Sequence, residues 1–325
     1  MGFNRVQLTQ YFDNLESALK KYKFNFNQIF NMDETDVQTV PNKLPLHVAP
    51  KGKRSGAKTV AAEQVKTVTA VCAMNPLGHY IPLYFIFDRK SENRQLLRGG
   101  PIGCDMAVTD KGYVDIPTFT KWLEHFIQHT SPSLENTILL ILDNHASHKS
   151  LEAVTSAKSK HIHLLTIPPH SSHKTQPLDR SFFGPLKCYY DVAVDQWNVA
   201  NPVQTFDVYS VAVTFKIAFE KAATTTSAAQ NFKSTGIFPF VPKIFEYFLP
   251  SEVTNQELPE DEGDNRTIVF DDINLPNTEN NSSESVILKD ISSDLGASTS
   301  TIMPAQECKT KKIDENLFTV NLHKR

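Results

Sequence analysis

The strongest fold signal in the chain is the stretch Ile138-Leu139-Leu140-Ile141-Leu142, followed by Asp143-Asn144-His145-Ala146-Ser147-His148. A continuous apolar run of this length is typical of a β-strand that is buried on both faces, as in the centre of an α/β sheet. The polar residues that follow end the strand, and Asp143 is the first of them. Because ligand sites of open α/β sheets lie at the carboxyl ends of the strands, the stretch predicts a site that includes Asp143.

Two further aspartates have comparably distinctive surroundings. Asp33 lies in Asn31-Met32-Asp33-Glu34-Thr35, and Asp179 follows Gln176-Pro177-Leu178. Each aspartate by itself has a simpler explanation, since Asp33 fits a turn, Asp143 a loop cap and Asp179 a helix N-cap. Together, carboxylates at strand ends and at a helix start can converge on one point. Converging carboxylates are the ligands that Mg²⁺ and Mn²⁺ prefer, so the three aspartates are candidate ligands of divalent cations.

Hydrophobic periodicity predicts strands and helices that alternate along the chain. Strands are expected at residues 29–32, 138–142 and 162–167, and a hairpin at residues 67–87 with its turn at 75–78. Helices are expected at residues 7–23, 117–130, 150–160, 179–190 and 206–222. Gly184-Pro185 is expected to interrupt the helix that begins at Asp179. The predicted fold class is α/β, a mixed sheet with a parallel centre and helices on both faces.

Charge is unevenly distributed along the 325 residues, although the formal net charge is only −3. Residues 251–325 contain fifteen acidic and seven basic residues, whereas the first 250 residues contain 21 acidic and 26 basic ones. A mildly basic body suits a nucleic-acid partner, and it suits an ordinary solvated surface equally well. The acidic segment is too polar to bury a core, and we expect it to be disordered.

Cysteine spacing and hydropathy narrow the class of protein. The four cysteines are widely spaced and form no C-x-x-C pair, which argues against a disulfide framework and against a cysteine zinc site. The sequence has no run of about 18 apolar residues and no apolar signal-peptide core near Met1. We therefore expect an intracellular protein with no membrane partner.

Four segments together resemble one protein family. They are residues 31–35, 143–148, 168–179 and 234–240, and the third reads Pro168-Pro169-His170-Ser171-Ser172-His173-Lys174-Thr175-Gln176-Pro177-Leu178-Asp179. These segments resemble the DDE-1 superfamily endonucleases, which include the pogo, Tigger and jerky transposases and their domesticated derivatives. The resemblance covers residues 7–248 and implies an RNase H-like fold. It divides the chain into a helical lead-in (1–28), a catalytic domain (29–248) and a disordered acidic tail (249–325).

The resemblance implies that Asp33, Asp143 and Asp179 are a catalytic triad that holds two Mg²⁺ or Mn²⁺ ions. Two such ions can drive in-line displacement at phosphorus, which cuts or joins a DNA strand. An aspartate in the third position is typical of the pogo-like branch. The chain is thus interpreted as the metal-dependent endonuclease and strand-transfer domain of a pogo/Tigger-like transposable element. The alternative is a domesticated, non-catalytic DNA- or chromatin-binding protein that retains the transposase fold.

Residues around the triad are expected to support it. Side chains that order the metal ligands are expected to be Glu34, Asn144, His145, His148 and His173. Contacts with DNA phosphates are expected from Lys51, Lys53, Arg54, Lys58, Arg89, Lys90, Lys174 and Arg180. Structural histidines and solvated loops explain the same residues. Six histidines lie between residues 145 and 173, so a zinc hydrolase is a more distant alternative, although no H-E-x-x-H helix is present.

The expected partners are DNA and further copies of the chain, as a homo-oligomer on DNA. Relatives usually carry a helix-turn-helix region before the first aspartate, and this sequence has no recognition helix there. We therefore expect a separate DNA-recognition subunit to supply specificity, or the sequence to be a fragment. Lys309, Lys311 and Lys312 are a candidate nuclear-import signal, and the nucleus is the expected location.

Overall fold

A six-stranded sheet runs through the residues that the computed structural model describes, which are residues 5–40 and 65–245. Its strands are β1 (Ile29–Gln38), β2 (Thr67–Met74), β3 (Tyr84–Asp88), β4 (Asp105–Thr109), β5 (Ile138–Leu142) and β6 (Ile162–Thr166). They lie side by side in the order β4-β3-β2-β1-β5-β6, and only β2 runs against the others. This mixed sheet, with helices on both faces, confirms the RNase H-like fold class that was predicted.

Several predictions fall outside the described residues. They concern the basic residues Lys51, Lys53, Arg54 and Lys58 and the acidic tail with its candidate nuclear-import signal.

Helices cover the sheet from both sides. Within the described residues they are α1 (Arg5–Tyr22), α2 (Ile116–Thr130), α3 (Leu151–Ser159), α4 (Ser172–Thr175), α5 (Pro177–Ser181), α6 (Phe183–Ala200), α7 (Val211–Ala222) and α8 (Thr225–Ser234). Local sequence explains where they begin. In α2, for example, the Asp115 carboxylate caps the amide of Thr118 at 2.9 Å, and Pro117 occupies the first turn, where its missing amide costs nothing.

Each face of the sheet has its own apolar core. On one face, α1 and α5 to α8 pack against strand residues such as Ile29, Leu139 and Ile141. On the other, α2 and α3 pack against residues such as Phe30 and Leu140. We call these the α6 face and the α2 face. Because side chains alternate along a strand, consecutive residues of β1 point to opposite cores.

Two strands differ from the sequence interpretation. β1 has ten residues rather than four, because its second half pairs with β2 as far as Gln38, so Asp33 lies within a strand rather than after one. The return strand of the hairpin begins at Tyr84 rather than Tyr80. Pro82 has no amide to donate to a ladder, and only an isolated bridge between Met74 and Tyr80 precedes β3.

One strand was missed, and one helix break was predicted at the wrong place. β4 has no long apolar run and follows a basic loop, so its pattern is weak, yet it extends the sheet by pairing in parallel with β3. The break after Asp179 falls at Phe182, before the Gly184-Pro185 pair that was expected to cause it. Both Gly184 and Pro185 lie in the first turn of α6, where proline removes no helical hydrogen bond.

Candidate active site at the carboxyl ends of the parallel strands

The first two aspartates are neighbours across β1 and β5. These strands are parallel, with Asn31 opposite Ile141, so the same register places Asp33 level with Asp143, the first residue after β5. In β2, Cys72 lies opposite Asp33. Alternation along β1 directs the Asp33 side chain to the α6 face. The two carboxylates therefore meet at the edge where the buried central strand ends.

The third aspartate reaches this edge on a short helix. α5 packs against β1 and α8, and its Leu178 is buried in the core of the α6 face. The Ser181 hydroxyl donates to the Asn231 side chain of α8 and fastens the end of α5. Asp179, between these two anchors, keeps an exposed side chain.

The electrostatics confirm that the three carboxylates act on one another. Burial raises the pKa of Asp33 well above its ordinary value, and the charges of Asp179, Glu34 and Asp143 raise it further. The Glu34 amide donates to Asp33 Oδ1 at 2.9 Å and lowers the pKa, but it does not reverse the shift. In the absence of a cation, Asp33 therefore holds its proton more firmly than a solvated aspartate does.

The pKa of Asp179 is also raised, first by desolvation and then by the charge of Asp143. Although its side chain contacts solvent, the protein around it removes enough water to favour the neutral form. Lys187 of α6 acts in the opposite direction and lowers the pKa of Asp179. The sequence interpretation missed Lys187. Its spacing of eight residues from Asp179 was the available signal, but the interruption expected at Gly184-Pro185 argued against one helix that carries both residues.

Asp143 has a cationic partner that Asp33 lacks. Nδ1 of His148 lies 2.7 Å from Asp143 Oδ1, and Nε2 lies 3.3 Å from Glu34 Oε1. The Nδ1 contact is a close ion pair rather than a well-directed hydrogen bond, since Nδ1 has no hydrogen-bond partner of acceptable geometry. Burial alone would lower the pKa of His148, but the two carboxylates outweigh it and raise the pKa to about 10.

The imidazolium also explains the state of Asp143. Desolvation raises the pKa of Asp143, but the contact with His148 and the amide of His145, which donates at 3.0 Å, together lower it below the ordinary value. His148 is almost completely buried and packs against the Phe119 ring of α2, with ring centroids 4.5 Å apart. His148 thus favours the ionised form of Asp143, whereas the surroundings of Asp33 favour its neutral form.

The other predicted supporting residues lie around this edge in different settings. His145 is exposed, and its Nδ1 lies 2.7 Å from the Ser147 hydroxyl. Asn144 has a buried Oδ1 with no hydrogen-bond partner. His173 in α4 is exposed, and its pKa is lowered by desolvation and by the charges of Lys174 and Arg180. The roles assigned to these residues stay predictions.

The described basic residues form two groups. Lys174 and Arg180 flank Asp179, and the Arg180 guanidinium donates to the His173 carbonyl at 3.2 Å. Arg89 and Lys90 follow β3, and strand register places them six residues further along the sheet than Asp33, on the order of 20 Å away. Arg89 donates to the Tyr209 hydroxyl at 2.9 Å and lies over the Tyr209 ring. The structure therefore brings only the first group to the aspartates.

The carboxylate oxygens of the three aspartates are ligands that suit a hard divalent cation, although these side chains do not form a ready-made metal site. Within residues 5–40 and 65–245, no three His, Cys, Asp or Glu side chains are already spaced to hold a metal ion. Burial and the charges of the neighbouring carboxylates nevertheless raise the pKa of Asp33. A bound cation would offset the repulsion among the three aspartates. The described histidines offer no comparable set, since His163 in β6 stacks on Tyr22 of α1 at a centroid distance of 3.9 Å, whereas His148 follows the end of β5 and pairs with Asp143.

Comparison with known proteins identifies the family. The model of the DDE superfamily endonucleases matches residues 64–234, which include Asp143 and Asp179. The chain belongs to the DDE superfamily endonuclease family. The matched residues make up more than half of the sequence, and they confirm the resemblance that was inferred from four short segments.

Individual relatives are more distant. A curated protein named MFS-type transporter clz9, from Cochliobolus lunatus, is 28% identical over 226 residues, which are 69% of this chain and 24% of that protein. The chain therefore spans about a quarter of the length of that relative. No helix in the described part of the chain has the length and apolar character needed to cross a membrane.

Solved structures of the Mos1 transposase also align with the chain. The Mos1 strand transfer complex is 14% identical with a TM-score of 0.45, and the alignment covers 76% of this chain and 61% of that one. The Mos1 catalytic domain with raltegravir and Mn is 14% identical with a TM-score of 0.42, and the alignment covers 76% and 94% of the two chains.

Proposed function

We propose that this member of the DDE superfamily is a metal-dependent DNA endonuclease and strand-transfer domain with Asp33, Asp143 and Asp179 as its catalytic carboxylates. The observation that carries the proposal is their convergence from β1, the end of β5 and α5, in an arrangement that raises the pKa of Asp33, first by burial and then by like charges. Such a cluster is unfavourable for the folded protein by itself, so a binding role explains it better than a structural one.

The same three side chains would hold Mg²⁺ or Mn²⁺, and we propose two ions. Bound divalent cations would neutralise the phosphate and the developing charge on the attacking and leaving oxygens of an in-line displacement. The protein contributes the positions of its carboxylates. His148 keeps Asp143 ionised at neutral pH and orients it, while Glu34 holds the second nitrogen of the same ring.

The expected DNA contacts follow from the two basic groups. We propose that Lys174, Arg180 and Lys187 contact the phosphates next to the scissile bond, because they surround Asp179. Arg89 and Lys90 would contact DNA further from the cut. A pogo/Tigger-like element, a homo-oligomer on DNA, a separate recognition subunit and a nuclear location remain part of the proposal.

The deciding experiment compares two isosteric substitutions in a nicking assay on supercoiled DNA with Mg²⁺ or Mn²⁺. Asp143→Asn removes a proposed ligand. Asp36→Asn is the matched control on β1, since Asp36 is exposed and accepts a hydrogen bond from the Thr69 hydroxyl at 2.8 Å that asparagine can also accept. We expect Asp143→Asn to lose at least about 100-fold in nicking rate and Asp36→Asn to remain close to the unsubstituted protein.

The outcomes separate the two candidate functions. Equal nicking by both variants would mean that these carboxylates do not catalyse the reaction. DNA binding without metal-dependent nicking by the unsubstituted, folded protein would favour the domesticated scaffold instead.

A further inference from the structure

Two amide side chains that the sequence interpretation did not assign to the site are completely buried beside the aspartates. Asn31 and Gln176 have no exposed surface. Nδ2 of Asn31 donates to Oε1 of Gln176 at 2.9 Å. We call this pair the amide clasp.

The amide clasp joins the three segments that carry the aspartates. Asn31 Nδ2 also donates to the carbonyl of Ile141 in β5 at 3.0 Å. Gln176 Nε2 donates to the carbonyl of Met32 in β1 at 3.0 Å. The amide of Leu178, in the first turn of α5, donates to Asn31 Oδ1 at 3.1 Å. One pair of side chains thus connects β1, β5 and α5 directly.

Each anchoring residue lies two or three positions before an aspartate. The pairs are Asn31 and Asp33, Ile141 and Asp143, and Gln176 and Asp179. So short a chain leaves little freedom between an anchor and its carboxylate. The distances among the anchors therefore govern the distances among the three carboxylates.

The site needs such a connection because its own charges work against it. Asp33 and Asp143 lie level on adjacent strands and α5 brings Asp179 to the same edge, so their ionised carboxylates repel one another. α5 has only five residues. The apolar contact of Leu178 holds this helix to the core but does not fix its orientation, because apolar contacts are not directional. Buried hydrogen bonds between amides are directional, so they can resist this repulsion at a defined separation.

We propose that Asn31 and Gln176 are positioning residues that hold α5 at the distance from β1 and β5 at which all three aspartates can share divalent cations. The inference deepens the proposed function and rests on it. The amide clasp positions α5 before any cation binds.

Two substitutions of the clasp and one matched control test the inference. Gln176→Met keeps the length of the side chain but removes both hydrogen bonds of its amide group. Gln176→Asn keeps the amide group on a shorter side chain and is the milder variant. Asn75→Leu is the control. Asn75 is also buried and accepts from the amides of Leu77 and His79, but it lies in the turn after β2, near the amino-terminal end of β1.

The first readout needs no metal. Hydrogen exchange of residues 177–181 is measured in chelator for the folded variants. We expect faster exchange in Gln176→Met, a smaller increase in Gln176→Asn and no change in Asn75→Leu. Unchanged exchange of this segment in both Gln176 variants would overturn the inference, whatever the protein does to DNA.

The second readout is Mn²⁺ affinity, measured by the signal of free Mn²⁺ in electron paramagnetic resonance, alongside the Mn²⁺ concentration that half-saturates nicking. We expect Gln176→Met to weaken both by about 10- to 100-fold, with the nicking rate largely restored at saturating Mn²⁺. Asn75→Leu should lower thermal stability without changing Mn²⁺ affinity. Wild-type Mn²⁺ affinity in folded Gln176→Met would overturn the inference.

Failure of the proposed function looks different. In that case the unsubstituted protein would neither bind Mn²⁺ nor nick DNA, and the exchange of residues 177–181 would still decide whether the clasp holds α5.

Discussion

Asp33 and Asp143 lie level with each other on adjacent parallel strands, yet the pKa values of their carboxyl groups are shifted in opposite directions. The pKa of Asp33 is raised well above its ordinary value, whereas that of Asp143 is lowered. His148, which contacts Asp143 at 2.7 Å, and the amide of His145 lower the pKa of Asp143, whereas burial and neighbouring carboxylates raise that of Asp33. The protein therefore compensates the charge of Asp143, whereas it disfavours the ionised form of Asp33.

The consecutive residues Asp33 and Glu34 repeat this contrast across the two faces of the sheet. Asp33 points to the α6 face with Asp179, while Glu34 points to the α2 face and contacts His148. Because side chains alternate along the strand, Asp33 faces Asp179, which repels it, whereas the next residue, Glu34, faces His148. The α6 face therefore holds the two aspartates whose pKa is raised, although Lys187 partly opposes the shift at Asp179.

The largest expected effect comes from removing His148, which bridges Asp143 and Glu34. His148→Gln eliminates the imidazolium and leaves Asp143 and Glu34 as uncompensated neighbours, so we expect the metal-free protein to lose about 2 kcal/mol of unfolding free energy. The measurement is urea unfolding in chelator. His173→Gln, at an exposed histidine, serves as the control and should change little. Equal losses in the two variants would remove the distinction between Asp143 and Asp33.

The loss should depend on pH in a predictable direction. The pKa of His148 is raised to about 10 from 6.5, so its stabilising contribution is fully present below pH 6.5 and fades as the pH rises towards 10. The lowered pKa of Asp143 gives a contribution that is present above its ordinary value of 3.8 and is lost at lower pH. The difference between the unsubstituted protein and His148→Gln should therefore be greatest between these limits and shrink on both sides. A difference that grows above pH 8 would contradict the assignment.

An intermediate effect of opposite sign is expected at Asp33. Asp33→Asn removes a carboxyl group whose raised pKa disfavours the ionised form in the folded protein, so the metal-free variant should gain about 1 kcal/mol at neutral pH. The gain should disappear below pH 3.8, where the carboxyl group is neutral in both states. Thermal unfolding with and without Mg²⁺ checks both parts, because Mg²⁺ should stabilise the unsubstituted protein and not the variant. A loss of stability in Asp33→Asn would show that the carboxylate is compensated after all.

The smallest effect should come from His145, the other histidine of the same segment. Its ring is exposed, and the bond to Asp143 is made by its backbone amide, which His145→Ala retains. We expect a change of about 0.5 kcal/mol or less in urea unfolding. A loss as large as that of His148→Gln would mean that the two histidines share the bridge.

Much of the fold was readable from the sequence because its signals are local. The apolar run of β5, the periodicity of α1 and α2 and the position of Asp143 at a strand end all agree with the structure. β4 was missed and β1 was given too few residues, because pairing with a neighbouring strand extends a strand beyond its own apolar pattern.

The site was predicted less completely than the fold. Asp33, Asp143 and Asp179 were singled out together, and their catalytic role stays a prediction, although the charges of Asp143 and Asp179 both act on Asp33. The sequence did not distinguish His148 from His145, since both stand in the same short segment and only burial against Phe119 separates them. Lys187 and the amide clasp were missed because residues far apart in the chain reveal their contacts only after folding.

The sequence by itself determined the family and the α/β class and singled out three candidate aspartates, because motifs and periodicity are properties of neighbouring residues. Only the tertiary structure decided which carboxylates are compensated and what joins them. The ion pair of His148 spans 114 residues to Glu34, and the amide clasp spans 145 residues from Asn31 to Gln176. Charge compensation and hydrogen bonding depend on distance in space, and the fold alone sets that distance.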